Sequence, residues 1–198
     1  GEGHRVKRIQ ELLAVDGKFS FEDMNRINMD AGYNHIPGMN FLHYLVEAAR
    51  TDSSIPAEVI DALEAWDHHY NDLEDPKWPD PDATYDDPGL TIFERWYQKI
   101  VKEVFDDDIP AGVAVFDSTL IHVFDGPDSK LRMSYDFLNG EDRDVVIVRA
   151  LQEALTELAV EFGADISTWL TEVRTVTFSA IGALPPPKMH RMNRGTYN

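Results

Sequence analysis

Apolar residues return every three or four positions along most of this chain, the spacing of helices with one buried face. Val6, Ile9 and Leu13 form the first such stripe, ending near Gly17. The second begins at Ser20, a good N-cap, with Asp23 standing in for the capping-box acid. Phe19 and Met24 are placed to form a hydrophobic staple, and Gly32 is the expected stop. Phe41, Leu42, Leu45, Val46 and Ala49 make a third stripe. A fourth follows Pro56, which suits a first helical turn, through Val59, Ile60, Leu63 and Trp66. Helix returns with Ile92, Phe93, Trp96, Ile100, Val101 and Val104. The longest helix is predicted from Arg143 to Phe162, with Gly163 fitting a left-handed cap.

Other stretches break this rhythm. Between Asn71 and Pro88 lies an acidic run interrupted by Pro76, Pro79 and Pro81, which cannot continue a helix and predicts a flexible loop over about 71–88. From Val113 to Phe137 the pattern is weaker, and Leu120 to Phe124 reads as either a short strand or an irregular crossing. Asp165 to Leu170 reads as a short helix, Val173 to Phe178 as a strand, and Pro185-Pro186-Pro187 as a rigid extended link. The expected fold class is mainly α with minor β, a single helical segment over 1–198 without internal repeats.

Composition agrees with one globular core: 198 residues, 43% hydrophobic and 11% aromatic. Charge adds more. There are 36 acidic residues against 18 basic, a net −18, with Asp abundant and Lys scarce. Such a field repels nucleic acid and anionic membrane surfaces, so neither is an expected partner. It fits a salt-adapted surface and an ordinary acidic one equally. Without Cys there is neither disulfide nor thiolate chemistry. No apolar run approaches the roughly 20 residues of a membrane span.

The ends are abrupt. Gly1-Glu2-Gly3 leads straight into a helical stripe, and Asn193-Arg194-Gly195-Thr196-Tyr197-Asn198 reads as a strand just beginning. The expectation is a segment of a longer protein.

Familiar catalytic signatures are absent: no G-x-S-x-G elbow, no phosphate-cradling loop, no dinucleotide fingerprint, no H-E-x-x-H. Three places remain. Asp67, His68, His69 and Asp72 are the densest set of possible metal ligands, with His68 and Asp72 sharing a face if that stretch is helical. The same residues suit a helix end passing into a polar loop, where His is favoured by the dipole. In the acidic run, a calcium-loop register from Asp80 and Asp82 fails, since Tyr85 falls where Gly is required and Thr91 where a bidentate Glu is needed. Arg5 and Arg8 lie at a helix start that prefers acids. The mismatch points to a carboxylate or carbonyl partner upstream of Gly1, unless both are ordinary surface charge.

In order along the chain, several of these pieces resemble the penicillin acylase (penicillin amidase) family of N-terminal nucleophile hydrolases. Arg5-Val6-Lys7-Arg8-Ile9-Gln10-Glu11-Leu12-Leu13 is similar to the helix after that family's oxyanion asparagine, and Phe19-Ser20-Phe21-Glu22-Asp23-Met24 to its next helix start. Leu63-Glu64-Ala65-Trp66-Asp67 resembles its Leu-x-x-Trp-Asp-Gly, with His68 where Gly is usual. Phe93-Glu94-Arg95-Trp96 is similar to its Phe-x-x-Trp helix, and Gly163 with Ser167 and Trp169 to its Gly-x-x-x-Ser-x-Trp segment. Asn193-Arg194-Gly195 and the aromatic Tyr197 resemble its entry into a core strand. The likeness covers almost the whole chain, and Thr177-Phe178-Ser179-Ala180 leans toward penicillin acylases over lactone acylases.

The resemblance implies a helical part of an αββα N-terminal nucleophile hydrolase, from the C-terminal part of its β chain. In that family a Ser at the start of the processed β chain attacks the amide, its own α-amine is the base, and an Asn side chain with backbone N–H groups forms the oxyanion hole. Here Gly1 is not Ser and no Ser-Asn dipeptide occurs. No catalytic residue is therefore expected in this segment. Arg5 matches the family's supporting Arg, while Trp66, Asp67, Trp96, Trp169, Asn193, Arg194 and Gly195 match structural motif positions. The implied partners are the rest of the β chain, the α chain and a small-molecule amide. No cofactor is expected, the family's calcium ligands lying outside the segment. The implied location is extracellular or periplasmic, and apolar residues near the ends, Val6 and Tyr197 among them, are expected to promote self-association. Two readings from other classes stand beside it: an acidic helical module binding a basic partner or a cation, and a metal-dependent hydrolase built on His68, His69, Asp67 and Asp72.

Overall fold

The structure, a computed structural model, describes residues 4–15, 17–70, 85, 87–110, 115–131, 133–171, 175–177 and 188–190, with side chains for these apart from 4, 5, 7, 175–177 and 188–190. The first two stripes become α1 (His4–Leu13) and α2 (Phe21–Tyr33). The capping box forms as the sequence reads: Asp23 N–H donates to Ser20 Oγ at 3.1 Å, and the Ser20 N–H donates to Asp23 Oδ2 at 2.8 Å. Asp therefore serves in the position where Glu is usual. The helix runs one residue past Gly32, because Asn34 in extended conformation ends it and hands the chain to α3 (Ile36–Thr51).

Contacts divide the chain into two compact units: Gly1–Ile36 with Asp67–Asp87 and Leu170–Asn198, and Pro37–Trp66 with Pro88–Trp169. In the first, α1 packs on α2, and β1 (Thr175–Thr177) pairs antiparallel with β2 (Lys188–His190). Thr175 faces His190 in register, so the Val173–Phe178 reading holds for its centre. The segment after Trp66 is zipped to the end of α2. An antiparallel bridge joins Asn34 and His69, His35 N–H donates to the His68 carbonyl at 2.7 Å, and Tyr70 N–H donates to the Tyr33 carbonyl at 2.9 Å. The His35 and Tyr70 rings meet at 4.6 Å, and Tyr70 meets Tyr85 at 5.7 Å. Most of the predicted acidic loop, 71–84 and 86, and the Pro185-Pro186-Pro187 link lie outside the described residues.

The second unit is built on α4 (Ala57–Ala65), α5 (Pro88–Phe105), α6 (Asp117–Asp125) and α7 (Arg143–Phe162) with the body of α3. Pro56 is the cap before α4, one position earlier than expected, whereas Pro88 opens α5 from inside. Along the α5–α7 and α4–α5 seams, Leu63, Phe93, Trp96, Ile100, Ile147, Leu151 and Leu158 are wholly buried. Each such side chain contributes about 1.5–3 kcal/mol by leaving water. Trp96 also donates its Nε1–H to the Ile147 carbonyl at 3.2 Å, which fixes the register of the two helices. Asp142 caps α7 by accepting from the Asp144 N–H at 2.9 Å, and Gly163 closes it at φ 90. Over the seam, Arg95 pairs with Glu157 and Glu161, Lys99 with Glu157, and Arg149 with Glu103 and Glu141.

Leu120 to Phe124 is neither strand nor irregular: it lies in α6, whose Leu120, Val123 and Phe124 are buried at helical spacing. Phe124 meets Tyr44 edge-on at 5.3 Å, and Arg143 sits over the Tyr44 ring at 5.3 Å. The Tyr44 hydroxyl donates to Asp125, and burial together with that carboxylate pushes its pKa up to about 12. The short helix expected from Asp165 is a single 3-10 turn, Ile166–Thr168, with Asp165 accepting from Ser167 N–H at 3.1 Å. No helix among the described residues is long and apolar enough to cross a membrane.

Candidate functional site

Two charged residues of α1 attract attention in the sequence, and the structure places one of them at the head of a line of alternating charges. Arg8, half-buried, donates Nε–H to Asp30 Oδ1 at 2.7 Å and Nη2–H to Asp30 Oδ2 at 2.8 Å. This is the fork-to-fork geometry that suits guanidinium and carboxylate. Asp30, on the buried face of α2, is 6% exposed. Behind it, His69 Nε2 lies 3.5 Å from Asp30 Oδ2, and His69 Nδ1 lies 2.9 Å from Asp67 Oδ2. Asp67 also accepts the His69 backbone N–H on Oδ1 at 2.9 Å, which folds the segment back on itself.

Local sequence explains the arrangement. Helix α4 ends at Ala65 and Trp66 is its extended cap, so Asp67 to Tyr70 is not helical. His68 stands at φ 66, in the left-handed region that favours glycine. That turn lets Asp67 and His69 approach one another while His69 pairs with Asn34. His68 therefore lies outside any helix, and Asp72 lies outside the described residues. Among the described residues no group of three or more His, Asp or Glu is arranged to hold a metal ion.

The electrostatics follow the geometry. Burial opposes ionisation of Asp30, but Arg8 outweighs it and holds the carboxyl below its usual range. Asp67 is lowered chiefly by His69. Burial opposes the proton on His69, yet Asp67 and Asp30 outweigh it and raise its pKa. His68 goes the other way, lowered by burial. The four groups Arg8, Asp30, His69 and Asp67 thus form a plus–minus–plus–minus chain whenever His69 is protonated.

Other expected positions are accounted for separately. Arg5 lies on the first turn of α1, with its side chain outside the described residues. Trp66 is buried against Phe93 at 5.3 Å, Trp96 donates as above, and Trp169 donates Nε1–H to the Gly163 carbonyl at 3.0 Å. These three are core residues of the second unit. Asn193, Arg194 and Gly195 lie outside the described residues. The partner the structure gives Arg8 is Asp30, downstream on α2. Asp30 itself is missed by sequence reading, although an acid on the otherwise buried face of α2 is the signal that marks it.

Comparison with known proteins completes the site. The family model for penicillin amidase matches residues 1–198. The chain belongs to the penicillin amidase family. A thermostable penicillin G acylase from Alcaligenes faecalis, solved in an orthorhombic form, has the same fold over the matched region, with a TM-score of 0.68 at 18% identity. The match covers 88% of this chain and 35% of that one, so the present chain spans about a third of the acylase chain. The mainly helical structure and membership of the penicillin amidase family agree with the family resemblance and fold class expected from the sequence.

Proposed function

We propose that this chain is part of a processed amide hydrolase that splits an acyl group from an amine in linear amides, as in removal of a β-lactam side chain. The family match over residues 1–198 carries the reading. The chemistry needs a Ser whose own α-amine is the base, and a hole for the oxyanion. No Ser-Asn dipeptide occurs in the chain, so the nucleophile and hole would come from other parts of the enzyme. The rest of the β chain and an α chain are then its partners, and the chain alone is catalytically silent. Arg5, at the start of α1, gives electrostatic support to the reacting centre.

The test compares the purified chain with the processed enzyme on a chromogenic acyl amide. Hydrolysis by the processed enzyme alone, reduced in Arg5→Ala, is the expected result. Hydrolysis by the isolated chain, abolished by Arg5→Ala, would overturn its silence. The same preparations report self-association: Val6 is 50% exposed and Phe21 82% exposed, so the isolated chain is expected to bind apolar dyes or associate.

A further inference from the structure

We propose that Asp30 is a positioning residue: by gripping Arg8 it sets the placement of α1, and with it the backbone that carries Arg5 one turn earlier. The part played by Arg5 rests on the functional reading above; the tether itself rests on geometry.

Among the described residues, helix α1 has little else to hold it. It is 10 residues long, with no acid in its first turn and no base in its last. Helices shorter than about 12–15 residues are marginal in water without tertiary support. Yet none of its described side chains is buried; Arg8, Ile9 and Leu12 are half-buried, and Leu13 is 39% exposed. A cleft of about 320 Å³ is lined by Leu12 and Val15 together with Phe19 and Ile27. Asp30 borders that cleft, and Arg8 reaches it there.

The anchor is better fixed than the helix it holds. Asp30 is buried, and His69 Nε2 lies 3.5 Å from its Oδ2. His69 in turn is placed by its bridge to Asn34 and by Asp67. A bidentate grip restrains rotation as well as distance, which a single charged contact does not. Lys at position 8 would keep the charge and lose the angle.

Asp30→Asn, Arg8→Lys and the exchange Arg8→Asp with Asp30→Arg are made in the full-length protein. Two readouts are taken: amide hydrogen exchange of 4–13 against 57–65 as reference, and kcat and KM for a chromogenic acyl amide. Arg8→Lys, on a half-exposed position, keeps the test open if Asp30→Asn does not fold. The expected result is exchange in 4–13 faster by about tenfold with 57–65 unchanged, and kcat lower by about tenfold with KM within about twofold. The exchanged pair should recover part of both. Unchanged exchange of 4–13 in Asp30→Asn and Arg8→Lys overturns the tether. Loosened α1 with unchanged kcat overturns the positioning role while leaving the tether. A wild-type protein inactive on acyl amides, with α1 still loosened by the variants, overturns the functional reading and supports the tether.

Discussion

Arg8 and Asp30 meet through two parallel hydrogen bonds, at 2.7 and 2.8 Å, although 22 residues separate them. Asp30 is far more buried than Arg8, so the two halves of the pair are not equivalent. Arg8→Ala strands a buried carboxylate that has His69 behind it, and is expected to cost about 2–4 kcal/mol. Replacing both partners, Arg8→Met with Asp30→Leu, removes the desolvated charge together with its partner and should recover most of that loss. Urea unfolding of the single and double variants gives the comparison. A double variant no more stable than Arg8→Ala would show that the pair is not the source of the loss.

His68 stands at φ 66 where the resembling family motif has glycine. A side chain with a Cβ is strained there by about 1–2 kcal/mol, and a β-branched one by more. His68→Gly should therefore fold at least as stably as wild type, while His68→Val should lose about 1–2 kcal/mol relative to His. The order Gly, His, Val in thermal midpoint checks this. Equal midpoints for Gly and Val would mean that the backbone at 68 relaxes.

Much of the helical frame is legible because its signals are local. Asp142 and Gly163 bracket α7 and the Ser20–Asp23 box opens α2, each by a contact within a few residues. Helix α6 is misread because only Leu120, Val123 and Phe124 of its nine residues are buried, too short a stripe to separate from a strand. The site is harder still. Periodicity tells which face of α2 is buried, but not that His69 will arrive beside Asp30. That depends on the Asn34–His69 bridge and on a left-handed residue at 68. The helix-start mismatch at Arg8 does announce a partner; it cannot say from which side of the chain the partner comes.

Trp96 joins α5 to α7 by packing and by its hydrogen bond to the Ile147 carbonyl at 3.2 Å. Trp96→Phe keeps an aromatic ring but removes the donor and leaves a small void. The lost hydrogen bond and the void together are expected to cost about 2–3 kcal/mol. Trp96→Leu, which loses more volume, should cost more. Chemical denaturation followed by far-ultraviolet circular dichroism measures both. A loss below about 0.5 kcal/mol for Trp96→Phe would mean that water or a shifted side chain satisfies the carbonyl.

The pH dependence of stability should carry the mark of His69. Its pKa is raised, Asp67 and Asp30 outweighing burial. A raised folded pKa stabilises fully below the unfolded value, about 6.5, and the contribution is lost as pH rises through the folded value. Asp30, which burial opposes but Arg8 lowers, and Asp67, lowered by His69, behave oppositely. Their contributions are present above the unfolded carboxylate value of about 3.9 and are lost as pH falls through the folded ones. His68, lowered by burial, adds a further loss as acid charges it. Wild type should therefore weaken above about pH 6.5 because of His69 and weaken in acid because of the carboxylates and His68. His69→Gln should lose the alkaline decline and keep an acid one, read as urea midpoint against pH. If the alkaline decline persists unchanged in that variant, His69 is not the group that titrates.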